Sequence, residues 1–354
     1  MLGSVRSCVV VALAFALSGG CTHTADDVAP ATRPSNRIAT HTLAEGDLVV
    51  QVHSPGTHYR GRRFDWSGMI GRTTFGKRVI WEEWNADEDR DKDDANAVGP
   101  AMEFGMERPL GYEDAAIGEA FVKIGVGLLR RESDKPYFFR HPYAFAAEPP
   151  PWVERSGPTW YQTSQSLESP IGYGYRYRKS IQIERGGTEL VLKCELTNTG
   201  TKTIETDVYV HNFFRLNGNG WQEKSSVKFE RPVSIAAGRK LPDVLSFDAT
   251  ASTVTIVKPL KAGQACWVPF VASPGDEAAL ARSFRLSSAD GLNVRAEVDR
   301  SPKKFVLFGL EQVTCVEPFV DLHLLPGEQI TWTYRYEFEF ASPQPATTCS
   351  SPLP

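Results

Sequence analysis

The chain has 354 residues, 41% of them hydrophobic and 23% charged, a balance that supports a substantial buried core and excludes a disordered body. Its formal charge of −4, with Lys and Arg scattered along the sequence, offers no basic footprint for a phosphate backbone and argues against nucleic acid as a partner. Length alone leaves the domain count open, because all-β units often exceed about 200 residues.

At the N-terminus, Arg6, the apolar run Val9 to Leu17 and then Ser18, Gly19, Gly20 and Cys21 have the length and flanks of a secretory signal, not of a spanning helix. Small residues directly before Cys21 resemble the bacterial lipobox, in which the cysteine is acylated. This gives a signal peptide over residues 1–21 ending at a lipidated Cys21. Leu17 stands one place further from Cys21 than that pattern has it, so ordinary cleavage slightly downstream is the alternative. Both readings export the protein to the cell envelope, facing the periplasm or the surface, with the membrane touched only through the anchor. Residues 22–44, rich in Ala, Thr, Pro and Asp without periodicity, read as a flexible tether, and residues 342–354 as a disordered tail. The body is residues 45–341.

Along the body, Ala86 to Ala95 is a charge run in which Asp87, Asp89 and Asp91 are spaced like the start of a calcium loop. Lys92 stands where that loop needs Gly and Val98 where it needs a bidentate Glu, so a solvated loop is expected. Phe138 to Pro151, with many rings and prolines, reads as a long loop across one face. Thr188 to Thr197 and Thr203 to Phe214 are strand-like runs joined through Asn198 to Lys202, and a hairpin is expected there. Only Asp276 to Phe284 suggests a helix, and a short one. Phe305 to Leu325 and Gln329 to Ala341 flank the turn residues Pro326-Gly327-Glu328, again as an expected hairpin. In the last strand Ile330, Trp332, Tyr334, Tyr336, Phe338 and Phe340 alternate with polar residues, giving one aromatic face. Many short strands and few helices predict an all-β fold, a large antiparallel β-sandwich. Cys194, Cys266, Cys315 and Cys349 match no metal spacing, so no metal is expected. Cys194 and Cys315 sit in apolar runs where a cysteine packs as a small hydrophobe, and disulfide pairing among the four stays open.

Alternation places Asp207, Tyr209, His211, Phe213 and Arg215 on one strand face and Val208, Val210, Asn212 and Phe214 on the other. A face that mixes rings with ionisable groups suits a ligand. Glu317, within Cys315-Val316-Glu317-Pro318-Phe319, is a carboxylate in an apolar run, where an unpaired charge is costly.

The segment Val210-His211-Asn212-Phe213-Phe214-Arg215-Leu216 resembles the aldose 1-epimerase (galactose mutarotase) segment that bears the catalytic histidine, and Cys315-Val316-Glu317 resembles the one that bears its glutamate. Leu325-Pro326-Gly327-Glu328 and a final aromatic strand follow in family order. Tyr59 to Ile70 (YRGRRFDWSGMI) and Gly118 to Gly127 (GEAFVKIGVG) resemble a less studied exported branch of that superfamily. The resemblance covers roughly residues 45–341 and implies a galactose mutarotase-like supersandwich that binds a mono- or oligosaccharide and interconverts its anomers without a cofactor. By this resemblance Glu317 is the base and His211 the acid, set on opposite sides of one sugar ring. Glu311 is the rival base. Arg63, Asp65, Glu103 and Lys123 are the expected sugar contacts, because charged groups beside glycines and rings hydrogen-bond hydroxyls. The family's second active-site histidine has no convincing counterpart: His141 is the one candidate and its surroundings do not match. Trp66, Trp81 and Trp84 offer ring faces to a sugar or to the core. Loss of the second histidine keeps a non-catalytic carbohydrate-binding module on the same fold as the competing expectation. A structural lipoprotein is a third reading, with no positive sign beyond the anchor.

Overall fold

The structure, a computed structural model, describes residues 38–85, 96–275 and 280–341. The signal segment with Cys21, the carboxylates of the calcium-like run, Cys349 and the C-terminal tail lie outside these residues, as does the unit Met1–Asn36; the described residues belong to the unit Arg37–Pro354. Among them the secondary structure is strand except for a single 3-10 turn at Leu216–Gly218, and no helix is long and apolar enough to cross a membrane.

Two antiparallel sheets make the body, one of ten strands and one of six, with a four-stranded and a two-stranded sheet beside them. The alternation read from the last strand explains how the two large sheets meet. Gln329–Phe340 buries Trp332, Tyr334, Tyr336 and Phe338 on one face, while Phe340 stays exposed. Trp332 meets Phe104 of the six-stranded sheet edge-on with ring centroids 6.1 Å apart, and Tyr336 meets Trp81 of the four-stranded sheet at 5.3 Å. Burying each such ring contributes about 1.5–3 kcal/mol to the cohesion of the core.

Both expected hairpins are instead crossovers between sheets. Glu189–Asn198 pairs with Gly174–Ile183 and Gln329–Phe340 in the ten-stranded sheet, whereas Ile204–His211 pairs with Val313–Leu324 and Ala101–Phe104 in the six-stranded one. Likewise Val313–Leu324 pairs with Lys304–Leu310 and not with the strand that follows Pro326. Turn chemistry reverses the chain in either case; what differs is that each flanking strand carries an apolar face that must meet a facing sheet.

Asn198 fastens the two crossovers to each other. Its side-chain NH2 donates to the Lys202 carbonyl at 2.9 Å and the Leu324 carbonyl at 3.0 Å, its Oδ1 accepts from Gly200 N–H at 3.0 Å, and its backbone pairs with Gly327 and Glu328. The residue is fully buried. Asn198→Ala is therefore expected to lower stability by about 3 kcal/mol, roughly one per lost hydrogen bond; a urea-unfolding difference under 1 kcal/mol would contradict this role.

The domain starts earlier than expected. Thr40–Glu45, inside the stretch read as tether, is a strand paired with Leu48–His53. The end of the expected short helix, Ser283 onward, is strand (Ser283–Ser287), and residues 276–279 lie outside the described set. Phe138 to Pro151 runs as loop apart from an isolated bridge between Phe145 and Leu129. The two motif segments of the first half dock on each other: Trp66 N–H donates to the Gly125 carbonyl at 2.9 Å. Gly125 has φ +77, and a Cβ there would lie 2.5 Å from the Asp65 Cβ, so only glycine permits this approach.

Candidate active site on the six-stranded sheet

One face of the six-stranded sheet supplies Val208, Val210, Phe214 and Val316 to the main core. The other face carries ionisable groups and rings. Register sets Glu103 opposite Tyr209, Tyr209 opposite Phe319, and Glu317 opposite Val306. Continuing the same register by two residues brings His211 across from Glu317. Their side chains touch, His211 Nε2 lying 3.2 Å from Glu317 Oε1. Two residues over 100 positions apart thus become cross-strand neighbours because both strands place odd-numbered residues on this face.

Aromatic rings enclose the pair. Phe213 stacks on the His211 ring at 3.8 Å between centroids and 11° between planes, while Phe64 and Phe308 meet it edge-on at 5.7 and 5.3 Å. Phe213 reaches this position with φ 38, rare for a non-glycine residue, where the strand ends. Asn212, on the opposite face, holds the bend: it donates to the Val316 carbonyl at 2.6 Å, accepts from Tyr336 OH at 2.7 Å, and its carbonyl accepts from Trp81 Nε1.

Burial sets the protonation of the pair. His211 is 5% and Glu317 4% exposed. Desolvation, joined by the positive charges of Arg63 and Arg140, holds His211 well below its ordinary value, so the imidazole is neutral near pH 7. Desolvation pushes the Glu317 carboxyl up to about 8 against the pull of Arg63 and Lys304, with Glu103 adding to the rise. Near neutrality Glu317 carries the proton and His211 does not. His211 Nδ1 and Glu317 Oε1 are buried and without a hydrogen-bond partner.

Of the expected sugar contacts, three converge beside the pair and one does not. Glu103 accepts from Arg63 Nε at 2.7 Å, Tyr209 OH at 2.6 Å and Lys123 Nζ at 3.0 Å. Arg63 also donates to Tyr209 OH at 2.7 Å, and Lys123 Nζ to Tyr137 OH at 3.2 Å. Glu103 and Lys123 are fully buried and Arg63 nearly so, which makes this network a support beneath the site and not an array of open hydroxyl contacts. Burial pushes the Glu103 carboxyl up, but Lys123 and Arg63 outweigh it and hold the group below its usual range. Lys123, lowered by desolvation, is raised overall by Glu103.

Asp65 points elsewhere. It accepts from Ser67 Oγ at 2.5 Å and Tyr177 OH at 2.9 Å, and lies 3.5 Å from Lys179 Nζ, a polar knot inside the sandwich. Glu311 is exposed, outside the cluster, which leaves Glu317 as the carboxyl beside His211. His141 is also exposed and bonds to Glu132 at 2.7 Å, away from the pair. Trp81 is core; Trp66 is held by the Gly61 carbonyl; Trp84 stacks on Phe213 at 5.5 Å and so borders the site. Sequence reasoning passed over Tyr209 as a site residue, Tyr137 and Arg140 in or beside the loop, and Cys315. For Tyr209 and Cys315 the signal was present, since they share the face of His211 and Glu317.

The sequence matches no family model and no curated protein. Solved structures do match. A protein of Escherichia coli K12 assigned as an aldose 1-epimerase superposes with TM-score 0.54 at 13% identity, over 86% of this chain and 100% of the other. A galactose mutarotase related enzyme from Lactobacillus acidophilus gives 0.53 at 11% identity over 86% and 99%. Galactose 1-epimerase from Lactobacillus acidophilus NCFM gives 0.51 at 12% identity over 88% and 98%. At such identity the likeness speaks for architecture alone, and by architecture this chain has the galactose mutarotase-like fold shared with the aldose 1-epimerases.

Proposed function

We propose that the protein takes a sugar at the outer face of the six-stranded sheet and interconverts its anomers by acid and base catalysis through His211 and Glu317. The observation that carries this reading is the 3.2 Å contact between the two side chains in a desolvated setting. In a cyclic sugar the anomeric hydroxyl and the ring oxygen are bonded to the same carbon. A donor and an acceptor in mutual contact therefore reach both oxygens from one side, and need not stand astride the ring as the sequence resemblance implied.

With one proton between them, the pair is complete at rest. Glu317 delivers its proton to the ring oxygen while neutral His211 takes the proton of the anomeric hydroxyl; the ring opens to the aldehyde. After the carbonyl turns, imidazolium returns a proton to its oxygen, the carboxylate takes one from the attacking hydroxyl, and the ring closes on the other face. These resting roles are the reverse of those the resemblance implied, and they follow from which group burial leaves protonated. The Arg63–Glu103–Lys123–Tyr209 network supports the floor of the site, and a sugar displaces part of the aromatic cover that Phe64 and Phe213 provide.

Polarimetry with a panel of hexoses tests this directly. Glu317→Gln and His211→Asn are each expected to lower the acceleration of anomer interconversion at least about 100-fold, the scale of one proton-transfer group. The wild-type rate is expected to fall above pH of about 8, where Glu317 loses its proton, and to hold on the acid side to well below the usual histidine range. Wild-type rates in both variants would remove the assignment. The burial of the pair favours a second reading, a sugar-binding module without turnover; calorimetric heat of sugar binding with no rate acceleration in the wild type would establish it instead.

A further inference from the structure

We propose that His211, Cys315 and Glu317 form a binding site for one divalent cation of the zinc class, distinct in chemistry from the proton transfer assigned to two of them. Each offers one ligand atom, and the imidazole nitrogen, thiol sulfur and carboxylate oxygen all lie within 4.8 Å of one another. All three residues are buried. Cys315 and Glu317 are two apart on Val313–Leu324 and so share its outer face, where register brings His211 alongside.

A second observation points to a ligand. Glu317 Oε1 and His211 Nδ1 are buried without hydrogen-bond partners, and Cys315 forms no disulfide. Unpaired polar atoms at this depth are costly, and coordination by the carboxylate relieves that cost. The 3.2 Å separation of His211 Nε2 and Glu317 Oε1 suits two ligands of one tetrahedral ion, since each bonds zinc at about 2.0–2.2 Å. A mixed thiolate, imidazole and carboxylate set prefers zinc over the harder magnesium or calcium, and three protein ligands leave one position open.

Charge balance permits the ion despite nearby cations. Arg63 and Lys123 are paired with Glu103 in this layer, and Arg140 and Lys304 act on the pair from the loop and the adjacent strand. Ligation displaces the Cys315 thiol proton and the Glu317 carboxyl proton to solvent, so one divalent cation replaces two protons and the buried cluster keeps its net charge. Metal binding and proton transfer exclude each other, because a coordinated carboxylate has no proton to give.

Titration of the chelator-treated full chain with Co2+, a spectroscopic stand-in for zinc, reads the site without any sugar. The expected result is a thiolate-to-metal charge-transfer band saturating at one equivalent, release of about two protons per ion, and loss of the band on adding Zn2+. Cys315→Ser is expected to abolish the band, and His211→Asn to weaken Co2+ binding at least tenfold. Absence of the band in folded wild type, or its persistence in Cys315→Ser, overturns the proposal. Should Cys315→Ser fail to fold, His211→Asn decides: unchanged Co2+ affinity overturns it. A failed polarimetric assay leaves this outcome unaffected, since no step of it depends on turnover.

Discussion

Glu103→Gln is expected to lower the stability of the fold by about 3–5 kcal/mol, the cost of breaking a buried ion network on one side. Glu103 is fully buried and both its oxygens are engaged, one by Lys123 and the other by Arg63 and Tyr209. A glutamine keeps the shape but brings an NH2 group to one of two positions already occupied by donors. It also takes away the buried carboxylate that Arg63 and Lys123 share. Equilibrium urea unfolding measures the loss. Adding Lys123→Met to the variant removes the buried ammonium that Glu103 had balanced and is expected to recover part of the loss, a coupling that independent sites would not show. A deficit below 1 kcal/mol in the single variant would mean that the network contributes nothing to the fold.

Glu317→Gln acts in the opposite direction, by an amount that grows as pH rises from 4.5 to about 8. The folded-state value of about 8 stands above the ordinary 4.5, so the native state binds this proton more tightly than the unfolded chain does. The stability this confers is fully present below pH 4.5 and is lost as pH rises through 8, where the native state must hold a buried carboxylate. Glutamine mimics the protonated carboxyl and does not titrate. In metal-free protein with chelator present, the variant is therefore expected to match wild type near pH 4.5 and to exceed it by about 5 kcal/mol near pH 9, at about 1.36 kcal/mol per unit. His211 titrates in both proteins: its lowered folded value costs stability as pH falls below 6.5, and comparing the two isolates Glu317. A constant difference between pH 4.5 and 9 would sink this account. A variant that is more stable yet inactive is what a residue retained for chemistry predicts.

Much of this was legible in the sequence, for reasons that also mark where legibility ends. Alternation in Gln329–Phe340 marked its buried face, and the same periodicity put His211 with Tyr209 on one face of its strand, whereas Glu317 stood out only as a carboxylate in an apolar run. Pattern works there because the strand period is two and the faces differ in polarity. It failed for Arg63 and Asp65, two apart in a segment with no regular structure, where spacing carries no direction; one side chain turns to Glu103 and the other to Tyr177. Strand partners were misjudged because Asn198 to Lys202 and Pro326-Gly327 signal a reversal without saying which sheet receives the next strand. Cys315 was read as a packing residue, although its place two before Glu317 on one strand already put the thiol beside the carboxyl.

The two crossovers have a kinetic consequence. Since the chain leaves one layer for the other at Asn198 and again at Leu325, the ten-stranded layer is threaded by segments whose sequence neighbours belong to the six-stranded layer. Neither layer can be completed from a continuous stretch of polypeptide, so each needs pairings of long sequence separation, such as Glu189 with Glu337. Refolding is thus expected to be slow, and a nascent chain cut off before Gln329 lacks the strand that lies between Glu189–Asn198 and Leu292–Val298.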